Sequence, residues 1–307
     1  MSSMEKFRKI AVLAGGISTE REVSIESGRN VADALESLGK YEVVRTVIDA
    51  DSLEAMPKDV DAVYIALHGG WGENGGVQTA LDALRIPYTG PGAEASRLAM
   101  DKIASKERFD ACGVPTAPWC RISEGARPPF PFPFVVKTAR GGSSIGVHLA
   151  KDVSSYEEAL RMCLKLDSAG VIAEKYIAGR EATVGIISGE ALPVLEICSP
   201  GGWYDYEAKY LSDRTRYEFL KEGPLAADLK RIALDAYRSL GCRGVSRVDF
   251  RIGADGRAYV LEINTSPGFT SHSLVPKAGM ATGLTFAEVC EKILLAAEFD
   301  AEKGGLA

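Results

Sequence analysis

Three residues with hard oxygen donors lie close together in VDFRIGADGRAYVLEINTSPG, residues 248–268. Asp249, Glu262 and Asn264 interrupt two otherwise mostly apolar, β-favouring runs, and Gly253-Ala254-Asp255-Gly256 between them is the punctuation of a hairpin turn. Side chains alternate faces along a strand, so Glu262 and Asn264 point the same way. Pairing about the turn sets Asp249 across from Glu262 to within a residue or two, with the carboxylates roughly 5–8 Å apart. Acids that close repel unless positive charge sits between them. A donor set made only of oxygens suits magnesium, not a thiolate or imidazole metal. Arg247 shares the face of Asp249 and can offer charge to an oxyanion in the same place. The plain alternative is a sheet with solvated acids.

A second constellation precedes it. GGSSIG, residues 141–146, follows a strand that ends in Lys137. Glycines and small hydroxyls there, Ser143 and Ser144 among them, let backbone N–H groups face an anion that a lysine can neutralise, and phosphate is the natural anion. The segment matches neither the P-loop nor the dinucleotide fingerprint, and alone it reads equally as a turn. The run VIAEKYI, 171–177, with Glu181 shortly after, ends in the acceptors, donors and apolar side chain that a purine pocket needs. Taken alone it reads equally as an edge strand with solvated charges, and Lys102 as one charge on a helix. Beyond the hairpin, Gly268 presents an N–H and Ser273 a hydroxyl. His68 and His272 are chemically able to act as bases, but a lone loop histidine is more often merely polar, and His272 is assigned no role.

The elements that must position these residues follow from periodicity. Strands at 9–13, 42–48 and 62–67 alternate with helices at 22–38 and 77–83, an order that implies a doubly wound parallel sheet. Such sheets bind ligands at the carboxyl ends of their strands, where the GGISTERE and HGGWGENGG loops fall. A linker follows 88–92, then one helix over 93–111, then a smaller α+β unit with a strand at 135–137, a helix at 156–166 and a strand at 171–174. Strands at 181–187 and 191–197, a helix at 227–240, the hairpin and a helix at 286–299 complete the chain.

The chain has 307 residues, 46% hydrophobic and 25% charged, enough for two or three domains and a sizeable core. A net charge of −6 and the lack of any basic run argue against nucleic acid and towards small-molecule partners. No stretch approaches a membrane span or a signal segment, which implies a cytoplasmic protein. Six scattered cysteines and three histidines fit reduced thiols and no zinc site.

In order along the chain, GGISTEREVSIESG, HGGWGENGGVQ, MDK, VVKTARGGSSIGV, EKYIAGRE, YDYEAKYL, SRVDF and EINTSPGFTSHSLVP together resemble the ATP-grasp superfamily and, within it, the D-alanine:D-alanine ligase family. The resemblance implies a three-domain α/β ATP-grasp fold. Its parts are an N-terminal doubly wound parallel sheet over 1–95, a central α+β domain over 96–179 and a C-terminal mixed-sheet catalytic domain over 180–307. It implies Lys102, Lys137 and Ser144 on the ATP phosphates, Glu174, Lys175, Ile177 and Glu181 around adenosine, and Leu261 against the base. Asp249, Glu262 and Asn264 would hold two magnesium ions, replaceable by manganese, with Glu262 shared between them. Glu20 would pair with the first D-alanine's ammonium, with His68 beside that substrate, while Ser273 and the Leu274 backbone take the second carboxylate. Arg247 and the Gly268 N–H would stabilise the oxyanion. Residues 206–216 resemble a mobile loop in which Lys209 reaches the γ-phosphate and Tyr210 joins Ser143 and Glu20 to close the site.

The implied reaction joins two D-alanines through D-alanyl phosphate for peptidoglycan synthesis, in a homodimer formed through the N-terminal domain. Rival readings are a ligase using D-lactate or D-serine, a nucleotide-binding paralogue that has lost catalysis, and a dehydrogenase. Gly15-Gly16 lacks the third glycine a dehydrogenase needs. The chain departs from the family pattern at Thr138, Gly141 and Asn74: the first two are expected to loosen the phosphate loop, the third to remove a charge near His68.

Overall fold

The computed structural model describes residues 6–142, 145–167, 169–199 and 215–300. Lys9–Gly15 is apolar over nearly its whole length and becomes the central strand of a parallel sheet, paired on one side with Glu42–Ile48 and on the other with Ala62–Ile65. Both faces of such a strand are covered. Ile10, Val12 and Tyr64 pack on the helix Arg21–Ser37 and on the helices Leu274–Met280 and Phe286–Leu295. Ala11, Leu13 and Val63 pack on the other side against Val77 and Leu81 of the helix Gly76–Leu84. The doubly wound arrangement read from the sequence is therefore present, as three strands, and the last two helices of the chain return to cover it.

Two antiparallel sheets follow. The central one orders Trp119–Ile122, Val171–Lys175, Phe134–Thr138 and Val147–Ala150 side by side, with the helix Val153–Leu166 on one face. Period-two alternation sends Phe134, Val136, Val171 and Ala173 into that helix contact, leaving Val135, Lys137, Ile172 and Glu174 on the opposite face. The larger sheet runs Arg216–Phe219, Leu195–Cys198, Gly179–Ile187, Val245–Gly253 and Ala258–Asn264, with Glu190–Ala191 attached to Gly179–Ile187. Val248, Phe250 and Ile252 pack under the helix Pro224–Ser239, so Arg247, Asp249 and Arg251 share the other face.

Several expectations are corrected. The single helix over 93–111 is two, Ala93–Met100 and Lys102–Cys112, because Asp101 adopts an extended conformation and its carboxylate accepts from the N–H groups of Ile103 and Ala104 at 3.0 and 3.1 Å. Hydrophobic periodicity is blind to such an in-line cap. The strand over 191–197 breaks at Pro193, which has no N–H to give a ladder, and pairing resumes at Leu195. The terminal helix stops at Leu295, after which Glu298 bridges Tyr88 and ties the chain end to the first sheet. All six cysteines are free, and no helix among the described residues is long and apolar enough to cross a membrane.

Asp101 also pairs with Arg140 at 3.2 Å, so it fixes both the helix start and the strand end beside the 141–146 loop. Asp101→Ala is expected to cost about 1–2 kcal/mol, seen as a lower urea midpoint. An unchanged midpoint would show that the cap contributes nothing.

Candidate active site

The hairpin forms as its turn implies. Arg247 pairs with Asn264, Val248 with Ile263 and Asp249 with Glu262; then the register slips, Phe250 meeting Val260. Leu261 is the extra residue of this β-bulge. Strict alternation would turn Leu261 away from Glu262, yet the bulge lets both line one cavity between the two antiparallel sheets.

Positive charge near these acids comes first from the protein itself. Arg247 grips Asp249 with both arms, Nε to Oδ1 at 2.8 Å and an Nη to Oδ2 at 2.7 Å, while Thr183 donates its hydroxyl to Asp249 at 2.6 Å. Lys102 lies 3.8 Å from Glu262, which is 34% exposed, and donates at 2.7 Å to the Gly141 carbonyl. Asn264 Oδ1 accepts the Ser266 N–H at 3.0 Å and so starts the loop to Gly268. Asp249 and Glu262 stand opposite each other, and their donor atoms are all hard oxygens, so the set fits magnesium by its chemistry.

The cavity takes its walls from both sheets: Val135, Lys137 and Glu174 on one side, Glu181, Arg251 and Leu261 on the other, with Gly141 and Gly142 at one end. Glu174, 2% exposed, is held between Lys137 at 2.9 Å and Lys106 at 3.1 Å. Burial opposes its charged form, but the two ammonium groups prevail and keep the carboxyl below its ordinary range. Arg251 donates to the carbonyls of Ile177 and Gly179 at 3.2 and 3.1 Å and pairs with Glu181 at 3.2 Å, which shapes the 176–181 turn at the mouth. Lys175 is exposed there.

A second cavity adjoins the first, sharing Lys102, Glu262, Gly141 and Gly142, and is lined further by Glu20, His68, Arg247, Gly268 and Ser273. Two glycines keep it open. A Cβ on Gly69, whose φ is +67°, would come within 2.8 Å of the Glu20 carboxylate, and one on Gly268 within 2.8 Å of the Ser273 hydroxyl. His68 is fixed from both sides: Nδ1 is 3.0 Å from the Ser266 carbonyl and Nε2 2.9 Å from Ser27 Oγ. A carbonyl only accepts, so Nδ1 carries the proton and Nε2 accepts from Ser27, whose oxygen accepts the Phe269 N–H at 3.0 Å. This places His68 as an oriented neutral ring in the wall. His272 is exposed at the rim. Burial, and then the Glu20 carboxylate, push the Glu73 carboxyl up to about 8.

Ser143, Ser144, Lys209 and Tyr210 lie outside the described residues. Of the departures, Thr138 is buried and donates its N–H to Gly146 O at 3.0 Å, closing the base of the loop, and Asn74 Oδ1 accepts the Gly76 N–H at 3.0 Å before the helix. Sequence reasoning missed Lys106, Arg251 and Ser27. Lys106 is one turn from Lys102, Arg251 is in alternation with Arg247 and Asp249, and Ser27 lies on the helix stripe with Val31 and Leu35. Spacing alone marked each as inward-facing.

Two antiparallel sheets closing on one cavity lined by charged side chains of both signs, behind a parallel-sheet unit, define an ATP-grasp fold. Residues 112–295 match the family described as D-ala D-ala ligase C-terminus, and residues 45–91 the one described as D-ala D-ala ligase N-terminus. The chain belongs to the D-alanine–D-alanine ligase family. It is 42% identical to the D-alanine–D-alanine ligase of Methylacidiphilum infernorum over 94% of each chain. It is also 42% identical to that of an Anaeromyxobacter species, over 94% of this chain and 96% of the relative. Crystal structures of the Bacillus anthracis D-alanine–D-alanine ligase superpose with TM-scores of 0.84, and 0.83 for one complexed with ATP, at 35% and 32% identity. Both cover 94% of this chain and 97% of theirs.

Burial holds the His68 imidazole below its ordinary pKa of 6.5, against the opposing pull of Glu20. Nitrogen chemical shifts should therefore show the Nδ1–H tautomer at pH 6.5, where a free imidazole is half protonated. In the unfolded chain this histidine takes up its proton first, so its contribution is a loss of stability as pH falls below 6.5. A half-protonated His68 at that pH would overturn the assignment.

Proposed function

We propose that this protein is an ADP-forming ligase that joins two D-alanines to D-alanyl-D-alanine for peptidoglycan synthesis, through D-alanyl phosphate. One observation carries the reading: the cavity between the sheets and the cavity beside it meet at Lys102, Glu262, Gly141 and Gly142. A nucleotide lying in the first delivers its terminal phosphate to a carboxylate lying in the second.

A carboxylate is a poor acyl donor because its anion repels a nucleophile and it has no leaving group. Phosphorylation supplies one. In this reading Glu174, Lys175, Ile177 and Glu181 surround the adenosine, Leu261 packs on the base, and Lys102 and Lys137 bear on the phosphates. Glu20 takes the first D-alanine's ammonium with His68 beside it, and Ser273 with the Leu274 N–H takes the second carboxylate. Asp249, Glu262 and Asn264 would hold magnesium, which when bound spreads the charge of the transferring phosphoryl group. Arg247, its guanidinium anchored by Asp249, and the Gly268 N–H stabilise the oxyanion that forms when the second amine attacks. Ser143 and Tyr210, with Glu20, are assigned to closing the site, Lys209 to the γ-phosphate and Ser144 to the phosphates.

The domains are read as 1–95, 96–179 and 180–307, in a cytoplasmic homodimer. Phosphate release from magnesium-ATP should require D-alanine, with D-alanyl-D-alanine as the product by mass, when D-alanine, L-alanine, D-serine and D-lactate are compared. Glu262→Gln should abolish that release and Arg247→Ala depress it severely with the thermal transition retained. Release that ignores D-alanine, or turnover like wild type in either variant, would refute the reading.

A further inference from the structure

Lys106 does not reach the nucleotide cavity, yet it is buried to 1% exposure directly behind the cavity wall. Its ammonium donates to Thr116 Oγ1 at 2.6 Å and pairs with Glu174 Oε1 at 3.1 Å, while Thr116 donates to the Val260 carbonyl at 2.9 Å. The other carboxylate oxygen of Glu174 accepts from Lys137 at 2.9 Å, and Lys137 does line the cavity. One carboxylate thus bridges two ammonium groups, only one of which lines the cavity.

One negative charge cancels one positive charge. With Lys137 and Glu174 alone, the wall would be neutral, and the acid just behind the ammonium would largely offset its attraction for an anion. The third member restores one net positive charge. We propose that Lys106 is a positioning residue that neutralises Glu174 from behind, leaving the charge of Lys137 to the nucleotide phosphates. The inference rests on the proposed nucleotide reading of this cavity. It also gives Thr116 a part, because its two hydrogen bonds join Lys106 to the strand that carries Leu261 and Glu262.

The test compares ADP, in excess magnesium, with adenosine by calorimetry on the full-length protein. Lys106→Met should raise the ADP dissociation constant by about tenfold or more, the worth of a charge-assisted contact, and leave that for adenosine within about twofold. Lys106→Gln, which keeps a hydrogen-bonding group against Glu174, should show the same split and serves if the methionine variant fails to fold. Lys106→Met combined with Glu174→Gln removes one charge of each sign and should recover most of the ADP preference over adenosine. A purely structural role would weaken both ligands together and would not be rescued by losing the acid. Equal losses for ADP and adenosine, an unchanged ADP constant, or no recovery in the double variant overturns the proposal. Lys137→Met separates the two levels: if it weakens ADP while the Lys106 variants do not, only the role of Lys106 fails. If it binds ADP as wild type does, the nucleotide reading fails too.

Discussion

The contact between Lys137 and Glu174, 2.9 Å across the wall of the cavity, is the interaction on which the rest of the site depends. Charge withdrawn from water is costly unless it is met where it lies. Here the meeting residues come from different elements: Lys137 and Glu174 from neighbouring strands of the central sheet, Lys106 from the helix that begins at Asp101. The central sheet, the helix and, through Thr116, the large sheet are thereby held in one register. A shift of any of these elements would strand a buried charge.

The same rule accounts for the opposite wall. Arg247, Asp249 and Arg251 project from one face of a strand whose other face, Val248, Phe250 and Ile252, is sunk in the core. Apolar burial on one side fixes the orientation of the polar side, because a slip of one residue would exchange them. The bulge at Leu261 is the exception that the site needs, since it puts an apolar side chain and a carboxylate next to each other on the cavity side. The proposed base contact of Leu261 and metal contact of Glu262 both draw on that order of side chains.

The parts legible in the sequence were those governed by local rules. The hairpin was readable because its turn fixes its register, and the parallel unit because each strand and helix carries its own period. Asp101 was not, since a cap in the middle of an unbroken apolar pattern leaves no trace in periodicity. The bulge at Leu261 was also hidden: nothing in AYVLEIN signals an extra residue. Lys106, Arg251 and Ser27 looked ordinary because each acts on a partner far along the chain, Glu174, Ile177 and His68 respectively. Their inward spacing could be read; what they would meet required the fold.

Charge balance across the cleft supports the proposed metal ions. Four acids in the walls, Glu174, Glu181, Asp249 and Glu262, are paired with five cations, Lys102, Lys106, Lys137, Arg247 and Arg251. Lys175 also lines the cavity between the sheets, which brings the surplus there to two positive charges, still too few to balance the triphosphate of the proposed nucleotide. Removing the acids would raise the surplus, but it would also remove the groups that orient the guanidinium and ammonium side chains. In the proposed reading Asp249 and Glu262 resolve the conflict by position: they face each other across the hairpin, Asp249 lining the cavity between the sheets and Glu262 lining both cavities. A divalent cation held there with the nucleotide would add two positive charges for each ion bound. The walls can then stay close to neutral when empty and close to neutral when filled, which a fixed set of lysines could not do.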